Sequence, residues 1–161
     1  MTTKTSFNIV DPLPQGTVLL AASAGTGKTW TISAVCAKAI ATGMVNIESL
    51  LLVTFNRSAA RELRGRVYER LISTASLLAG RRKPADACDD SVMSLGAEGL
   101  KRVEAALDSF DRAVITTTHE FASRMLAELG VLSDHDPSSV LMADLTPVSY
   151  THLTLPTTPY V

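Results

Sequence analysis

The chain alternates between short uninterrupted apolar runs and longer stretches in which apolar residues recur every three or four positions. The apolar runs lie at 17–21, 50–55 and 113–116. Short runs of this kind are typical of parallel strands that are covered on both faces. We therefore expect three buried strands.

The periodic stretches predict the helices that connect these strands. Leu63, Val67 and Leu71 are spaced by four and form the expected core stripe of the longest helix. Asn56 or Ser58 is expected to cap that helix. The predicted helices cover about residues 28–41, 57–79, 100–110 and 118–129, with a polar connection at 84–96 and a stop at Gly130. The order β-α-β-α-α-β-α predicts an α/β fold, in which crossover helices flank a parallel sheet.

The composition is that of a globular domain without strong electrostatic bias. The chain has 161 residues, 46% of them apolar, and a net charge of −1. It therefore suits one domain with a packed core, and any nucleic-acid binding would depend on a local basic patch. Cys36 and Cys88 fit no metal-binding spacing. Because the sequence shows no signal-type segment and no apolar run of membrane length, we expect a cytoplasmic protein without membrane contact.

Residues 22–29 carry the most informative motif. They read Ala-Ser-Ala-Gly-Thr-Gly-Lys-Thr, and Ala22 is the one departure from the usual phosphate-loop pattern G-x-x-x-x-G-K-[ST]. Gly25 and Gly27 allow main-chain N–H groups to turn towards a phosphate chain, and the following helix presents its positive end to the same anion. Lys28 has the length to reach the β- and γ-phosphates, and Thr29 offers a hydroxyl to Mg²⁺.

This motif predicts binding of ATP or GTP together with Mg²⁺. Lys28 and Thr29 are the candidate catalytic residues, and Thr29 is the candidate magnesium ligand. The candidate nucleotide-binding residues are Ala22, Ser23, Ala24, Gly25, Thr26, Gly27, Lys28 and Thr29. A structural glycine turn is the alternative interpretation.

Two further groups of polar and aromatic residues follow the second and third apolar runs. Because ligands of open α/β sheets collect at the carboxyl ends of strands, we expect all three turns at one edge. After the second run, Arg57, Arg61 and Arg64 share one helical face. That face is either solvated or contacts phosphates, with Phe55 as a platform on which a base stacks. After the third run, His119 and the N–H groups of a helix start are candidate phosphate donors.

Three motifs thus occur in a fixed order along the chain. They are the phosphate loop, the segment Thr54-Phe-Asn-x-x-Ala-Ala-x-Glu-Leu-x-x-Arg66 and the segment Thr117-x-His119-x-Phe121. In this order they resemble the N-terminus of superfamily 1 helicases of the UvrD/Rep group. The resemblance covers about residues 7–130, and the lead-in with Pro12-Leu13-Pro14 looks most like the RecB branch of that family.

The resemblance implies a RecA-like ATP-binding domain of a 3′-to-5′ DNA translocase, present here as an incomplete first helicase domain. It implies ATP and Mg²⁺ at the phosphate loop, contact with single-stranded DNA and duplex ends, and a role in double-strand break repair and recombination. Partner subunits similar to RecC and RecD are implied for the full protein. The candidate DNA-binding residues, including the adjacent basic positions, are Thr54, Phe55, Asn56, Arg57, Arg64, Thr117, His119 and Phe121. Asn56 and Glu120 differ from the residues common in the family.

Catalysis in this family needs parts that do not occur in this sequence. An Asp-Glu pair after an apolar strand would hold Mg²⁺ and activate water, and arginines of a second RecA-like domain would stabilise transferred charge. We therefore expect the chain to be the first part of a longer helicase. By itself it is expected to bind nucleotide weakly and to hydrolyse it little or not at all.

The chain is expected to comprise four segments. They are a lead-in at 1–16, the N-terminal part of a UvrD-like ATP-binding domain at 17–131, the start of an inserted subdomain or a linker at 132–147, and a tail at 148–161. One back-translation of Val148 to Thr157 matches a transposon-based sequencing adapter. We therefore expect that the gene sequence was cut near Pro147 and read into adapter DNA. The alternative is a genuine short extension that forms a loose strand.

Two other functions compete with the helicase hypothesis. A small-molecule kinase or a simple P-loop ATPase would explain residues 22–29 but not the other two motifs. A non-catalytic nucleotide-binding or interaction fragment would need no turnover. Strongly salt-dependent binding of single-stranded DNA is expected only of a helicase.

Overall fold

A computed structural model describes residues 6–23 and 25–129 of the protein. The helices in this part of the chain are α1 (Lys28–Ala41), α2 (Arg57–Leu78), α3 (Ala87–Met93), α4 (Gly96–Asp108) and α5 (Thr118–Leu129). The strands are β1 (Leu51–Thr54) and β2 (Val114–Thr117). The α/β class is therefore confirmed, and the four predicted helices begin and end within a few residues of their expected positions.

Some of the sequence predictions fall outside the described residues. They concern Ala24 of the phosphate loop, the helix stop at Gly130, the segment 132–147 and the tail 148–161. The chain divides into two compact units, residues 1–121 and 122–161. Residues 122–129 of the second unit form the C-terminal part of α5, on which Met125 and Leu129 are exposed.

The two strands form a parallel sheet, and their carboxyl ends meet at one edge. The register runs from Leu51 opposite Val114 to Thr54 opposite Thr117. Each strand passes directly into the turn that starts a helix, α2 after β1 and α5 after β2. The turns that follow β1 and β2 are therefore neighbours in space.

β1 is covered on one face only, which corrects the expectation of burial on both faces. Leu52 is half-buried against the core, whereas Leu51 and Val53 are 45% and 46% exposed. Since successive side chains of a strand point to opposite faces, this alternation means that α2 packs on one side of the sheet. A continuous apolar run does not specify which element covers each face.

The strand expected at 17–21 does not form in the structure. These residues are irregular, and Leu19 is 91% exposed. A strand needs a neighbour with which its N–H and C=O groups can pair. Within residues 6–23 and 25–129, β1 and β2 pair only with each other, and the run at 17–21 pairs with neither. The two-stranded sheet therefore supports the α/β class without showing a full P-loop fold.

The polar connection expected at 84–96 contains a helix, α3. Asp86 caps this helix, because its side chain accepts a hydrogen bond from the Asp89 N–H at 3.1 Å. Cys88 and Val92 are spaced by four and fully buried. The sequence of α3 looks like a loop because its polar residues supply the helix cap and the ion pairs. Its apolar face is too short to produce a clear helical pattern.

The main core lies between α1, α2, α4 and one face of the sheet. Val67 and Leu71 of α2 are fully buried, as the spacing predicts, and they pack with Ile40 of α1 and Val103 of α4. Each such side chain contributes about 1.5–3 kcal/mol on burial. In the described part of the chain, none of the helices combines the length and apolar character that crossing a membrane requires.

The lead-in segment is held against α1 by a buried lysine. Lys38 is 5% exposed, and its Nζ donates to the main-chain oxygens of Ile9 at 2.7 Å, Val10 at 3.1 Å and Asp11 at 2.7 Å. Ile9 itself is buried beside Ala34 of α1. These contacts fix the path of the chain that leads to the phosphate loop.

Candidate nucleotide site and strand-end basic cavity

The phosphate loop has the backbone conformation that its glycines allow. Gly25 and Gly27 have φ angles of 76° and 79°, in the left-handed region that side chains disfavour. A Cβ added to either would meet no atom within 4 Å, so glycine is required for conformation and the space beside the loop stays open. Thr26 Oγ1 donates to the Ser23 main-chain oxygen at 2.7 Å and tightens the turn.

Lys28 and the start of α1 bring positive charge to this loop. Lys28 Nζ donates to the main-chain oxygens of Ser23 at 2.6 Å and Ala22 at 3.4 Å. Gly27 is the N-cap residue of α1, and no side chain caps the helix. The N–H groups of the first turn therefore have no partner within the helix and carry the positive end of its dipole.

A cavity of about 650 Å³ opens beside the loop. Gly25, Gly27, Lys28 and Thr29 line one side of it, and side chains of α2 and of residues 82–89 line the other. Pockets of a few hundred to about 1,000 Å³ hold small molecules and cofactors. Over the whole lining, four cations balance four anions, so the positive charge of Lys28 belongs to the loop side alone. The cavity therefore has the size that a nucleotide requires and a positive loop side.

Part of the far wall of this cavity is a network of half-buried ion pairs around the buried Asp89 carboxylate. Arg70 of α2 donates to Asp86 at 2.7 Å, and Arg82 donates to both carboxylate oxygens of Asp89 at 2.6 Å. The Asp89 side chain is 1% exposed and also accepts from the Ala85 N–H at 2.9 Å. Burial by itself would raise the pKa of Asp89, but the hydrogen bonds from Arg82 and Ala85 hold it below its usual value.

Trp30 connects the loop side of the cavity to this network. It follows Thr29 directly in the first turn of α1, and the guanidinium of Arg70 lies 5.2 Å from the centre of its ring. This distance is within the range of a cation–π interaction. Neither Arg70 nor Trp30 is recognisable from the sequence, because the contact joins two helices that are far apart along the chain.

A second, smaller cavity of about 180 Å³ lies at the strand ends. Its charged lining consists of Arg57, Arg61, Arg64 and Glu120. Arg57 and Glu120 form an exposed ion pair with an Nε–Oε1 distance of 2.8 Å. Arg61 is exposed and makes no side-chain hydrogen bond or ion pair within residues 6–23 and 25–129. Three cations against one anion leave this cavity positive.

Arg64 differs from the other two arginines of this cavity. One guanidinium nitrogen donates to the Ala113 main-chain oxygen at 2.8 Å, and the guanidinium lies 5.6 Å from the centre of the Phe110 ring. These contacts join α2 to the segment before β2. The basic face predicted from the sequence therefore contains one arginine that is committed to packing and two that face solvent.

Glu120 organises the turn after β2, and the sequence analysis did not assign it this role. Its carboxylate accepts from Thr116 Oγ1 at 3.0 Å and from the Thr117 N–H at 3.3 Å, while the Glu120 N–H donates to Thr117 Oγ1 at 3.3 Å. Thr-x-x-Glu is the sequence signature of such a reciprocal cap. The Thr117 N–H, followed by Thr116 and Arg57, lowers the pKa of Glu120.

The residues predicted to contact DNA after β1 surround the entrance to α2. Thr54 Oγ1 donates to the Asn56 main-chain oxygen at 3.0 Å. Asn56 Oδ1 accepts from the Ala59 N–H at 2.7 Å, so Asn56 is the helix cap, one of the two expected candidates. The Phe55 side chain is 97% exposed and points away from the core.

The corresponding residues after β2 show three degrees of exposure. Thr117 is buried, His119 is exposed, and Phe121 is half-buried. His119 lies in the first turn of α5 and directly precedes Glu120 in the sequence. Of these three side chains, His119 is the most accessible to a ligand.

The structure brings together two of the three predicted turns. The Arg57–Glu120 pair joins the turns after β1 and β2, as expected for neighbouring parallel strands. The phosphate loop instead lines the larger cavity, on another face of α2. Residues 57, 61 and 64 face the strand-end cavity, and residues 62, 66 and 69 face the loop cavity. At 3.6 residues per turn, these two sets lie on nearly opposite sides of the helix.

Comparison with known proteins identifies the family. Residues 2–151 match the UvrD/REP helicase N-terminal domain. The chain belongs to this helicase family. The RecB subunit of the RecBCD enzyme from Mycobacterium tuberculosis is 36% identical over 146 residues, which cover 87% of this chain and 13% of the relative.

More distant members of the UvrD/REP family align over a similar stretch. The RecB subunit of Escherichia coli K12 is 34% identical over 73% of this chain, which corresponds to 11% of its own length. An ATP-dependent helicase/nuclease subunit of Latilactobacillus sakei is 29% identical over 79% of this chain and 12% of its own length. The chain thus spans little more than a tenth of the length of these relatives.

Proposed function

We propose that the chain is the N-terminal part of an ATP-dependent DNA helicase subunit of RecB type. It binds ATP and Mg²⁺ in the phosphate-loop cavity and contacts single-stranded DNA at the strand-end cavity. In the longer protein it moves along DNA in the 3′-to-5′ direction, acts on duplex ends in double-strand break repair, and assembles with RecC- and RecD-like subunits. The observation that carries this proposal is the position of Lys28 and the uncapped start of α1 at the mouth of a cavity of about 650 Å³.

The phosphate loop supports ATP as the ligand through three groups. The first-turn N–H groups of α1 donate to phosphate oxygens. Lys28 exchanges its bonds to the Ser23 and Ala22 oxygens for bonds to the phosphates. Thr29, which lines the cavity, supplies a hydroxyl to Mg²⁺.

In this proposal the phosphates of the nucleotide supply most of the ligands of the magnesium ion. In the described part of the chain, no three His, Cys, Asp or Glu side chains are grouped so that they could hold a metal ion. Thr29 and the phosphate oxygens are therefore the expected ligands. When bound, Mg²⁺ neutralises the charge of the phosphates and orients them.

The strand-end cavity supports contact with DNA through exposed cations and an exposed ring. Arg57 and Arg61 offer guanidinium groups to phosphates, and such contacts are salt-dependent. Phe55 offers an open aromatic face to a base. His119 adds a further donor at the same edge.

Nucleotide binding is tested with Lys28→Ala and a matched control, Lys101→Ala. Lys101 is exposed on α4 and lines neither cavity. Titration with a fluorescent ATP analogue and Mg²⁺ should show binding by the wild type and by Lys101→Ala, and none by Lys28→Ala. Equal binding by all three proteins would exclude the phosphate loop as the nucleotide site.

DNA binding is tested with the double variant Arg57→Gln/Arg61→Gln and the control Arg112→Gln. Arg112 is an exposed arginine that pairs with Glu48, much as Arg57 pairs with Glu120, but it lies at the N-terminal end of β2, whereas Arg57 follows the carboxyl end of β1. The affinity for a labelled oligothymidylate is measured over a range of salt concentrations. The double variant should reduce the salt slope by about 0.7 for each lost phosphate contact. An unchanged slope would argue against this cavity as the DNA site.

Turnover by the 161-residue chain is a separate expectation. The 161 residues contain no Asp-Glu pair that follows an apolar run and could hold Mg²⁺, so we expect little or no ATP hydrolysis by these residues alone. Phosphate release is measured with and without single-stranded DNA. Robust DNA-stimulated hydrolysis by the purified chain would contradict this expectation.

A further inference from the structure

The first turn of α1 carries Lys28 and Thr29 but lies outside the packed core. Lys28 and Trp30 are exposed, and buried positions of the helix begin only at Ser33. The turn therefore needs a contact of its own to hold the candidate phosphate ligands in one orientation.

The cation–π contact between Trp30 and Arg70 supplies that restraint. The guanidinium lies 5.2 Å from the centre of the ring, and it reaches Trp30 from α2, across the cavity wall. Within residues 6–23 and 25–129, no other hydrogen bond, ion pair or ring contact joins this first turn to another helix.

Arg70 is itself held firmly in place. Its side chain is 11% exposed, and it donates to Asp86 at 2.7 Å with Asp89 at 3.7 Å. Arg82 and the Ala85 N–H fix Asp89 from the other side. The cation–π contact is therefore anchored in a network whose centre, Asp89, is buried, and it does not depend on a freely rotating surface side chain.

We propose that Arg70 is a positioning residue for ATP, which acts by holding Trp30 and with it the first turn of α1. This inference rests on the proposed binding of ATP in the phosphate-loop cavity. The Arg70 guanidinium lies over the ring and donates to Asp86 at the same time, so a lysine keeps the charge, but its single ammonium group is not expected to reproduce both contacts. Arg70→Lys therefore separates positioning from simple electrostatic attraction.

The sole tryptophan of the chain gives a direct readout of the stack. Emission and acrylamide quenching of Trp30 are measured without nucleotide in the wild type, in Arg70→Lys and in the control Arg112→Gln. The lysine variant should make Trp30 more accessible to quenching, and the control should not. A loss of stability alone would leave quenching of the folded protein unchanged.

Nucleotide affinity completes the test. Binding of a fluorescent ATP analogue with Mg²⁺ is measured by anisotropy, with folding of each protein checked by circular dichroism. Arg70→Lys and Trp30→Leu should each weaken binding by about three- to tenfold, the range expected from loss of one cation–π contact. Trp30→Phe should recover most of the affinity lost in Trp30→Leu.

The double variant Arg70→Lys/Trp30→Leu decides whether the two residues act as one unit. If they do, it binds no more weakly than either single variant. Additive losses, or an Arg70→Lys protein that binds like the wild type, would overturn the positioning role. If the wild type itself binds no nucleotide while the quenching difference persists, the proposed function fails and the stack remains as a structural contact.

Discussion

The ion pairs of the two cavities differ in burial: the Arg70–Asp89 network of the phosphate-loop cavity is largely covered, and the Arg57–Glu120 pair of the strand-end cavity is exposed. Asp89 is 1% exposed and Arg70 is 11% exposed, whereas Arg57 and Glu120 are 68% and 39% exposed. Both cavities take arginines from α2. A buried pair is costly to break but cannot move towards a ligand, while an exposed pair contributes little to stability and can exchange partners. We therefore expect the ion pairs of the first cavity to maintain its shape, and those of the second to be free to exchange partners.

The largest effect on stability is expected from Asp89→Asn. This change removes the counter-charge of Arg82 and one of the two carboxylates beside Arg70. Breaking a buried ion pair in this way costs about 3–5 kcal/mol. Urea denaturation of Asp89→Asn and Glu120→Gln compares the two cavities directly. Asp89→Asn should lower the free energy of unfolding far more than Glu120→Gln does. Similar losses for both variants would contradict the expected difference between the two ion-pair networks.

Phe55→Ser tests the open cavity through binding. The ring is 97% exposed, so its loss should leave the unfolding midpoint almost unchanged. If a base stacks on it, affinity for single-stranded DNA should fall by about 1–3 kcal/mol. Denaturation and oligonucleotide binding are measured on the same preparation. Wild-type DNA affinity in this variant would remove Phe55 from the site.

Arg64→Gln and Arg61→Gln sharpen the comparison within one cavity. Arg64→Gln loses a hydrogen bond and a cation–π contact and should destabilise the fold by about 1–2 kcal/mol. Arg61→Gln should stay within about 0.5 kcal/mol of the wild type. Thermal and urea denaturation check both values. The reverse order would mean that Arg61, not Arg64, is the packing residue.

A further difference is expected in acid, in the pH dependence of stability. The pKa of Asp89 is lower in the folded protein than its ordinary value, so its contribution to stability is complete above that ordinary value. The contribution is lost as the pH falls through the lower pKa of the folded state. Asp89→Asn should therefore show a flatter decline of stability below about pH 4 than the wild type. Parallel acid unfolding curves for the two proteins would contradict this.

The sequence was most informative where structure depends on local pattern. The spacing of Leu63, Val67 and Leu71 predicted the buried face of α2, and Asn56 was one of two expected caps. The glycines of the phosphate loop also act locally, because their φ angles follow from residue type. Helix periodicity and capping need no knowledge of distant partners.

Features that depend on distant partners were missed or predicted wrongly. The run at 17–21 suits a strand, but its sequence does not say whether a neighbouring strand is present. Asp86 and Asp89 look like loop residues until Arg70 and Arg82 are placed beside them. Glu120 is different, since its role was readable from a local Thr-x-x-Glu signature.

Lys38 holds the lead-in segment through main-chain atoms, which leaves the side chains of this segment freer to vary in evolution. Lys38 recognises three main-chain oxygens, and a main-chain oxygen is present whatever the side chain. Val10 and Asp11 are exposed and are therefore open to substitution without loss of the anchor. We expect drift at these two positions to be nearly neutral, while Lys38 and the buried Ile9 carry most of the constraint on the segment.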